Sequence, residues 1–284
     1  MKKIIIIAMS FCFTFLFGSI ALAATSVNEV EPNSSASEAQ LIERCNVDPA
    51  KVISGNYENQ NTVIGNVTDT SDEDWYKVYL PADENTILSI NSSALSGTGI
   101  FDVYDENLNL ISTVLYQKDY SVMGFKAYRI GIPTSGNYYV KVSSSLTTGE
   151  YRFSIGKPTY NVGSYTYKAL NPCTLTTTIS SVQATYDLRN ISTIPNNAIV
   201  YYLSIDGTKT NYASNQYRSI KIDGDSSWIT TSMYTYVADV PVASNKILKN
   251  QWRFKLDGSV SQSYGTFSLI PEIRFSYVYP VLPQ

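Results

Sequence analysis

Asp74-Trp75-Tyr76-Lys77-Val78-Tyr79-Leu80 changes character at every residue. Tyr76, Val78 and Leu80 fall on one parity, and Trp75, Lys77 and Tyr79 on the other. A period of two is the signature of a β-strand with one face in a core and the other in water. The same grammar recurs on both sides. Tyr128, Ile130 and Ile132 alternate with Arg129 and Gly131; Tyr138, Val140 and Val142 with Tyr139 and Lys141; Tyr151, Phe153 and Ile155 with Arg152 and Ser154. One short helix, near Ser37 to Arg44, is the only helical reading the chain supports.

Gly156-Lys157-Pro158 ends this run. Proline interrupts strand pairing and glycine frees the backbone, so the triplet reads as a boundary between modules. Beyond it the strands resume. Ile199, Tyr201, Leu203 and Ile205 alternate up to Asp206-Gly207, and Trp252, Phe254 and Leu256 up to Asp257-Gly258. Asp-Gly supplies the positive φ angles of tight hairpins, so both pairs are expected to turn the chain. Asp223-Gly224-Asp225 lacks the spacing of an EF-hand loop and also reads as a turn. Ile273, Phe275, Tyr277 and Tyr279 form a last strand ended by Pro280. The expectation is an all-β chain of two β-sandwich domains, residues 24–156 and 157–284, with no internal repeat between them.

Residues 1–23 read as a secretory signal. Lys2 and Lys3 precede an apolar run from Ile4 to Ile20, and Ala21-Leu22-Ala23 offers the small residues of a cleavage site. No later run approaches the ~20 apolar residues that span a bilayer. The expected location is extracellular, or loosely associated with the cell wall, without membrane insertion after cleavage. The chain has 21 basic and 24 acidic residues, and loss of Lys2 and Lys3 makes it more acidic still. Nucleic acid is therefore not an expected partner. The chain contains no histidine, which excludes Ser-His-Asp and Cys-His catalysis and the HExxH zinc motif. Carboxylate-only chemistry and lysine nucleophiles survive. Cys45 and Cys173 remain in the mature chain, one per module. Secretion permits a disulfide between them, and two buried free thiols fit equally.

Three stretches of the first module, in order, resemble one family. Glu29-Val30-Glu31-Pro32-Asn33-Ser34-Ser35, with Ala39 and Ile42 beyond, is similar to an acidic entry motif. Gly65 followed by Asp72-Glu73-Asp74-Trp75-Tyr76-Lys77-Val78 is similar to an Asp-x-Asp-Trp-Tyr strand. Gly136-Asn137-Tyr138-Tyr139-Val140-Lys141-Val142 with Gly149-Glu150-Tyr151-Arg152-Phe153 is similar to a closing hairpin. The family is the bacterial pre-peptidase C-terminal domain, related to the collagen-binding domains of secreted collagenases, and the resemblance covers about Glu29 to Gly156. It implies a jelly-roll-like β-sandwich that accompanies secreted proteases. In the collagenase branch, the entry motif and the Asp strand hold calcium, at positions matching Glu29, Glu31, Asn33 and Asp74, with Asp72 close in sequence. Ser34 and Ser71 stand where that branch has acids, which implies one ion rather than two.

The residue chemistry bears on the same point. Calcium takes six to eight oxygen ligands. Glu29, Glu31 and Asn33 share one face of an extended strand, as do Asp72 and Asp74. The alternative is a solvated acidic edge with no metal. For binding, the resemblance matches Tyr76, and less directly Tyr116, to aromatic contact positions of the collagenase branch. Ser143 and Ser145 replace tyrosines of that branch, so collagen itself is not the expected partner. Tyrosine is frequent, 23 residues against three tryptophans, and suits sugar rings and extended peptides as well as strand interiors. The resulting expectation is a secreted, non-enzymatic accessory or binding protein that engages an extracellular polymer or protein. A carboxylate-dependent hydrolase with its site in the second domain, and a partner or inhibitor of a separate protease, are the alternatives.

Overall fold

A computed structural model describes residues 25–91, 98–118, 124–144 and 148–283. The expected signal segment, Cys12 and Ser145 lie outside the described residues. The chain runs β1 (Ser26–Asn28), β2 (Gln40–Leu41), a one-turn helix α1 (Pro49–Val52), β3 (Thr62–Val67), β4 (Asp74–Leu80), β5 (Asp83–Asn91), β6 (Thr98–Tyr104), β7 (Leu110–Gln117), β8 (Lys126–Ile132), β9 (Gly136–Ser144) and β10 (Gly149–Gly156). It continues through β11 (Tyr160–Lys168), β12 (Cys173–Thr176), β13 (Ser181–Asp187), β14 (Ile199–Thr210), β15 (Ser214–Ile222), β16 (Ile229–Thr230), β17 (Val237–Asp239), β18 (Gln251–Ser259) and β19 (Thr266–Pro280).

The protein is all-β, built of sandwiches. The first ten strands form two five-stranded sheets, ordered β1-β3-β10-β5-β8 and β2-β4-β9-β6-β7. Most consecutive strands lie in opposite sheets, so the chain repeatedly crosses from one layer to the other, as in a jelly roll. Between the layers sit Tyr76, Val78, Leu80, Phe101, Tyr151 and Phe153, all buried. The remaining strands form a second pair, β11-β19-β14-β17 with β12 also on β19, and β13-β18-β15-β16. Trp252, Phe254, Leu256, Phe267 and Phe275 fill that core, and the Trp252 indole N–H donates to Leu248 O at 2.9 Å.

Three local expectations are corrected. Ser37 to Arg44 is not helical: Gln40–Leu41 pairs in parallel with β4, and Ile42 N donates to Lys77 O, which buries Ile42. The helix forms instead at Pro49–Val52, where Asp48 accepts from Ala50 N and proline occupies the first turn. Asp206-Gly207 and Asp257-Gly258 do not turn the chain; both lie inside long strands. Gly207 serves close approach, since a Cβ there would stand 2.0 Å from Ile270 O at φ +140°. Gly258 packs against Leu175 and Ala213. Asp223-Gly224-Asp225 does turn, with Asp225 N donating to Ile222 O and Gly224 at φ +94°.

Cys45 and Cys173 are free, buried thiols and are not bonded to each other. Cys45 belongs to the seam between the modules. It packs with Val47, Val52 and Val278, flanked by Tyr57, Tyr160 and Ile199. Among the described residues no helix is long and apolar enough to cross a membrane.

Candidate metal centre

The entry segment is strung between the two sheets of the first module. Its beginning continues β1, with Glu29 N donating to Ile64 O of β3. Its end meets the start of β4, where Trp75 N donates to Asn33 O. Gln40 clamps the middle: its Oε1 accepts from Val30 N and its Nε2 donates to Asn28 O. The peptide bond between Glu31 and Pro32 is cis. This path delivers Glu29, Glu31 and Asn33 to the buried carboxylate of Asp74.

Carboxylate oxygens of Glu29, Glu31 and Asp74 lie within 4.8 Å of one another. Asn33 is fully buried beside them; its Nδ2 donates to Glu29 Oε1 at 3.1 Å and its backbone N–H to Glu31 Oε2 at 2.9 Å. Asn66 N donates to Glu29 Oε2 at 2.8 Å. Two buried oxygens, Asn33 Oδ1 and Asp74 Oδ1, have no hydrogen-bond partner among the described residues. Buried oxygens of this kind are ordinarily satisfied, and an orphan asks for an explanation. An all-oxygen donor set with two orphaned acceptors fits a hard cation such as calcium.

Asp72 does not join this group. Its Oδ2 accepts from Thr68 N and Oγ1 at 2.6 and 2.7 Å and so closes the loop before β4. In this arrangement Asp72 closes the turn, while its charge still acts on Asp74. Ser71 caps Asp69 in the same loop.

The floor of the site is aromatic. Tyr151 OH, reaching from β10, donates to Asp74 Oδ2 at 2.8 Å and lies 3.5 Å from Glu29 Oε1. Tyr76 OH meets Tyr151 OH behind it. Burial raises both phenols, so they remain protonated donors. Burial, and next the hydrogen bond shared with Glu29, push the Asp74 carboxyl up to about 9, against the opposing effect of Tyr151. Asp74 thus favours its protonated form at neutral pH, and a divalent ion bound there would displace that proton.

Gly65 makes this floor possible. A Cβ at that position would stand 2.2 Å from Tyr151 Oη and 2.3 Å from Cζ. The tyrosine ring crosses the β3 backbone where a side chain would otherwise be. Gly65→Ala is expected to cost about 2–3 kcal/mol through overpacking and displacement of the Tyr151 hydroxyl. Urea denaturation checks it, and a cost below about 0.5 kcal/mol would show that the ring moves freely.

The sequence-derived contact residues Tyr76 and Tyr116 are both buried, at 0 % and 4 % exposure, so neither is available to a partner. Tyr76 is core and a rear support of the acidic cluster. The opposite parity of β4 carries the outward face. There Trp75 stacks on Tyr104 at 5.4 Å and meets Tyr139 edge-on at 6.3 Å. Lys141 lies over Trp75 at 5.9 Å and bridges Glu73 at 3.2 Å and Asp102 at 3.5 Å. Asp102 accepts from Thr113 Oγ1 at 2.6 Å. The alternation that identified β4 already assigned Trp75 to water and Tyr76 to the core. That signal could have found this face.

No protein-family model matches the chain, and no curated protein does. Among solved structures, a Eubacterium rectale protein described as secreted is similar over 93% of this chain and 89% of its own, with 13% identity and a TM-score of 0.57. That likeness shows a shared fold across both modules. The pre-peptidase C-terminal domain of a Bacillus anthracis collagenase is similar over 42% of this chain and 94% of its own, with 16% identity and a TM-score of 0.30. The resemblance of the first module to that family therefore rests on its sequence motifs.

Proposed function

We propose that the protein is a secreted, non-enzymatic binding or accessory protein. Its first sandwich is stabilised by one calcium ion held by Glu29, Glu31, Asn33 and Asp74. Its contact surface for an extracellular polymer or protein is the outer face of the β2-β4-β9-β6-β7 sheet. The observation that carries the binding reading is the aromatic cluster of Trp75, Tyr104 and Tyr139 on three neighbouring strands. An indole stacked on a phenol and backed by a lysine offers flat apolar area at low entropic cost, with charges at its edge. Tyr79 and Leu115 extend this face and are 58 % and 62 % exposed.

A hydrolase needs two acids at a fixed separation. The cleft between β11, β12 and β13 is lined by no acid, and the groove beside Tyr201 and Tyr202 by Asp239 alone. Neither supports the hydrolase reading.

Cosedimentation of the purified mature protein with peptidoglycan, chitin and fibrous collagen tests the proposal. One of these polymers is expected to pellet the protein. Trp75→Ala is expected to weaken that binding about tenfold or more with little change in melting temperature. Failure to bind all three, or full binding by the variant, would remove the face from consideration. Recovery of a secreted protease in place of a polymer would select the protein-partner arm of the proposal.

A further inference from the structure

The second sandwich is open at one edge. The inward parity of β13 is Val182, Ala184 and Tyr186, and only Tyr186 reaches full burial. Opposite them the chain leaves β11 after Lys168 and re-enters the same sheet at β12, so residues 169–172 form a corner rather than a covering strand. The result is a cleft of about 370 Å³. Ala169, Cys173 and Ala184 line it, beside a core whose larger members include Phe254, Leu256, Trp252 and Phe267. Small side chains at three facing positions are what keeps the space unfilled.

The chemistry of the lining is specific. No charged side chain contributes to it. Tyr186 forms one wall, 7 % exposed, with its ring 4.7 Å from that of Tyr167 and stacked on Phe254 at 6.1 Å. The Tyr186 hydroxyl is buried beside the Cys173 thiol, a weak partner, and pairs with no oxygen or nitrogen among the described residues. Asn171, Thr174, Gln183 and Thr185 bring neutral polar groups to the rim. The wall is uncharged and about equally polar and apolar, and a concave surface with a few placed polar groups is the pattern of ligand sites. A hydroxyl held only by a thiol is weakly satisfied, and a ligand oxygen is the stronger partner.

We propose that this cleft binds a small, uncharged, partly polar ligand carrying one hydrogen-bonding oxygen, which takes the Tyr186 hydroxyl from the Cys173 thiol. The ring pair of Tyr167 and Tyr186 favours a planar ligand, and the absence of charge in the lining disfavours an ionic one. The cleft lies in the second module and is separate from both the acidic cluster and the aromatic face of the first.

The test uses acetophenone and ethylbenzene, near-isosteres that differ in one carbonyl oxygen, titrated into the full mature chain by NMR. Acetophenone is expected to bind about fivefold more tightly than ethylbenzene. Tyr186→Phe is expected to erase that preference while ethylbenzene binding stays unchanged. Ala184→Leu is expected to abolish binding of both compounds with an unchanged or higher melting temperature, because it fills the space. No binding by either compound, a preference that survives in Tyr186→Phe, or binding that survives in a folded Ala184→Leu protein would each overturn the proposal.

Discussion

Adding calcium to the metal-free protein is expected to raise the melting temperature of the first module by on the order of 10 °C. A ligand that binds only the native state stabilises it by about 2.7 kcal/mol at one hundred times its dissociation constant, and each kcal/mol moves the midpoint of a domain of this size by several degrees. The physical reason is local. The fold brings Glu29, Glu31 and Asp74 within 4.8 Å and buries Asp74 and Asn33 with an oxygen each unsatisfied. An ion of charge two relieves both the repulsion and the orphaned acceptors. Asp74→Asn keeps the shape of the side chain and removes a charge. It is expected to fold and to lose the calcium response, whereas Asp72→Asn, at the loop-closing position, is expected to keep it. Calorimetry with and without calcium checks all three proteins. A melting temperature indifferent to millimolar calcium would return the cluster to a solvated acidic edge.

Gly156→Ala is expected to cost about 3–4 kcal/mol, the largest effect of any single substitution considered for this chain. Gly156 sits at φ +137°, where a β-carbon is strained whatever the space. A Cβ there would also stand 2.5 Å from Cys45 O and 3.0 Å from Cys45 N. Those are backbone atoms, and they are pinned from both sides. Cys45 N donates to Ile155 O at 2.7 Å, and Lys157 N donates to Cys45 O at 2.9 Å. The substitution must break part of this bridge or move the strand. Its consequences reach the seam between the modules, because Cys45 is fully buried there against Val47, Val52 and Val278. Equilibrium unfolding in urea measures the loss. A cost under about 1 kcal/mol would mean that the junction accommodates a side chain without breaking the bridge.

The alternation in β4, β8, β9 and β10 was legible because a strand's side-chain period is two and one face of each sheet is buried. The same parity rule separates Trp75 from Tyr76. Assigning a contact role to Tyr76 by resemblance went against it, and the structure sides with the parity. Alternation related Glu29, Glu31 and Asn33 to one another, and the family resemblance alone joined them to Asp74 on a different strand. Asp72 shares the parity of Asp74, yet one of its oxygens is taken by Thr68 in a loop that alternation does not describe. Tyr151 and Gly65 were present in the motifs, but their mutual need was not legible, since it arises only when β3 and β10 pair and Gly65 faces Tyr151.

By itself the sequence determined the class of the fold. Alternating apolar and polar residues, broken by Gly-Lys-Pro between the halves, leave few arrangements other than packed β-sheets, because every strand must bury the same face. It determined what chemistry is missing, since a chain without histidine lacks the commonest catalytic base. Only the tertiary structure decided where glycines act. Gly207 and Gly258 look like hairpin turns in the sequence, and both lie instead inside strands, Gly207 where a neighbouring backbone passes too close for a side chain. It also decided the fate of the two cysteines, which stay free, and of Asp72, which closes a loop. These outcomes depend on which distant strands become neighbours, and that is set by the summed burial of both cores rather than by any local pattern.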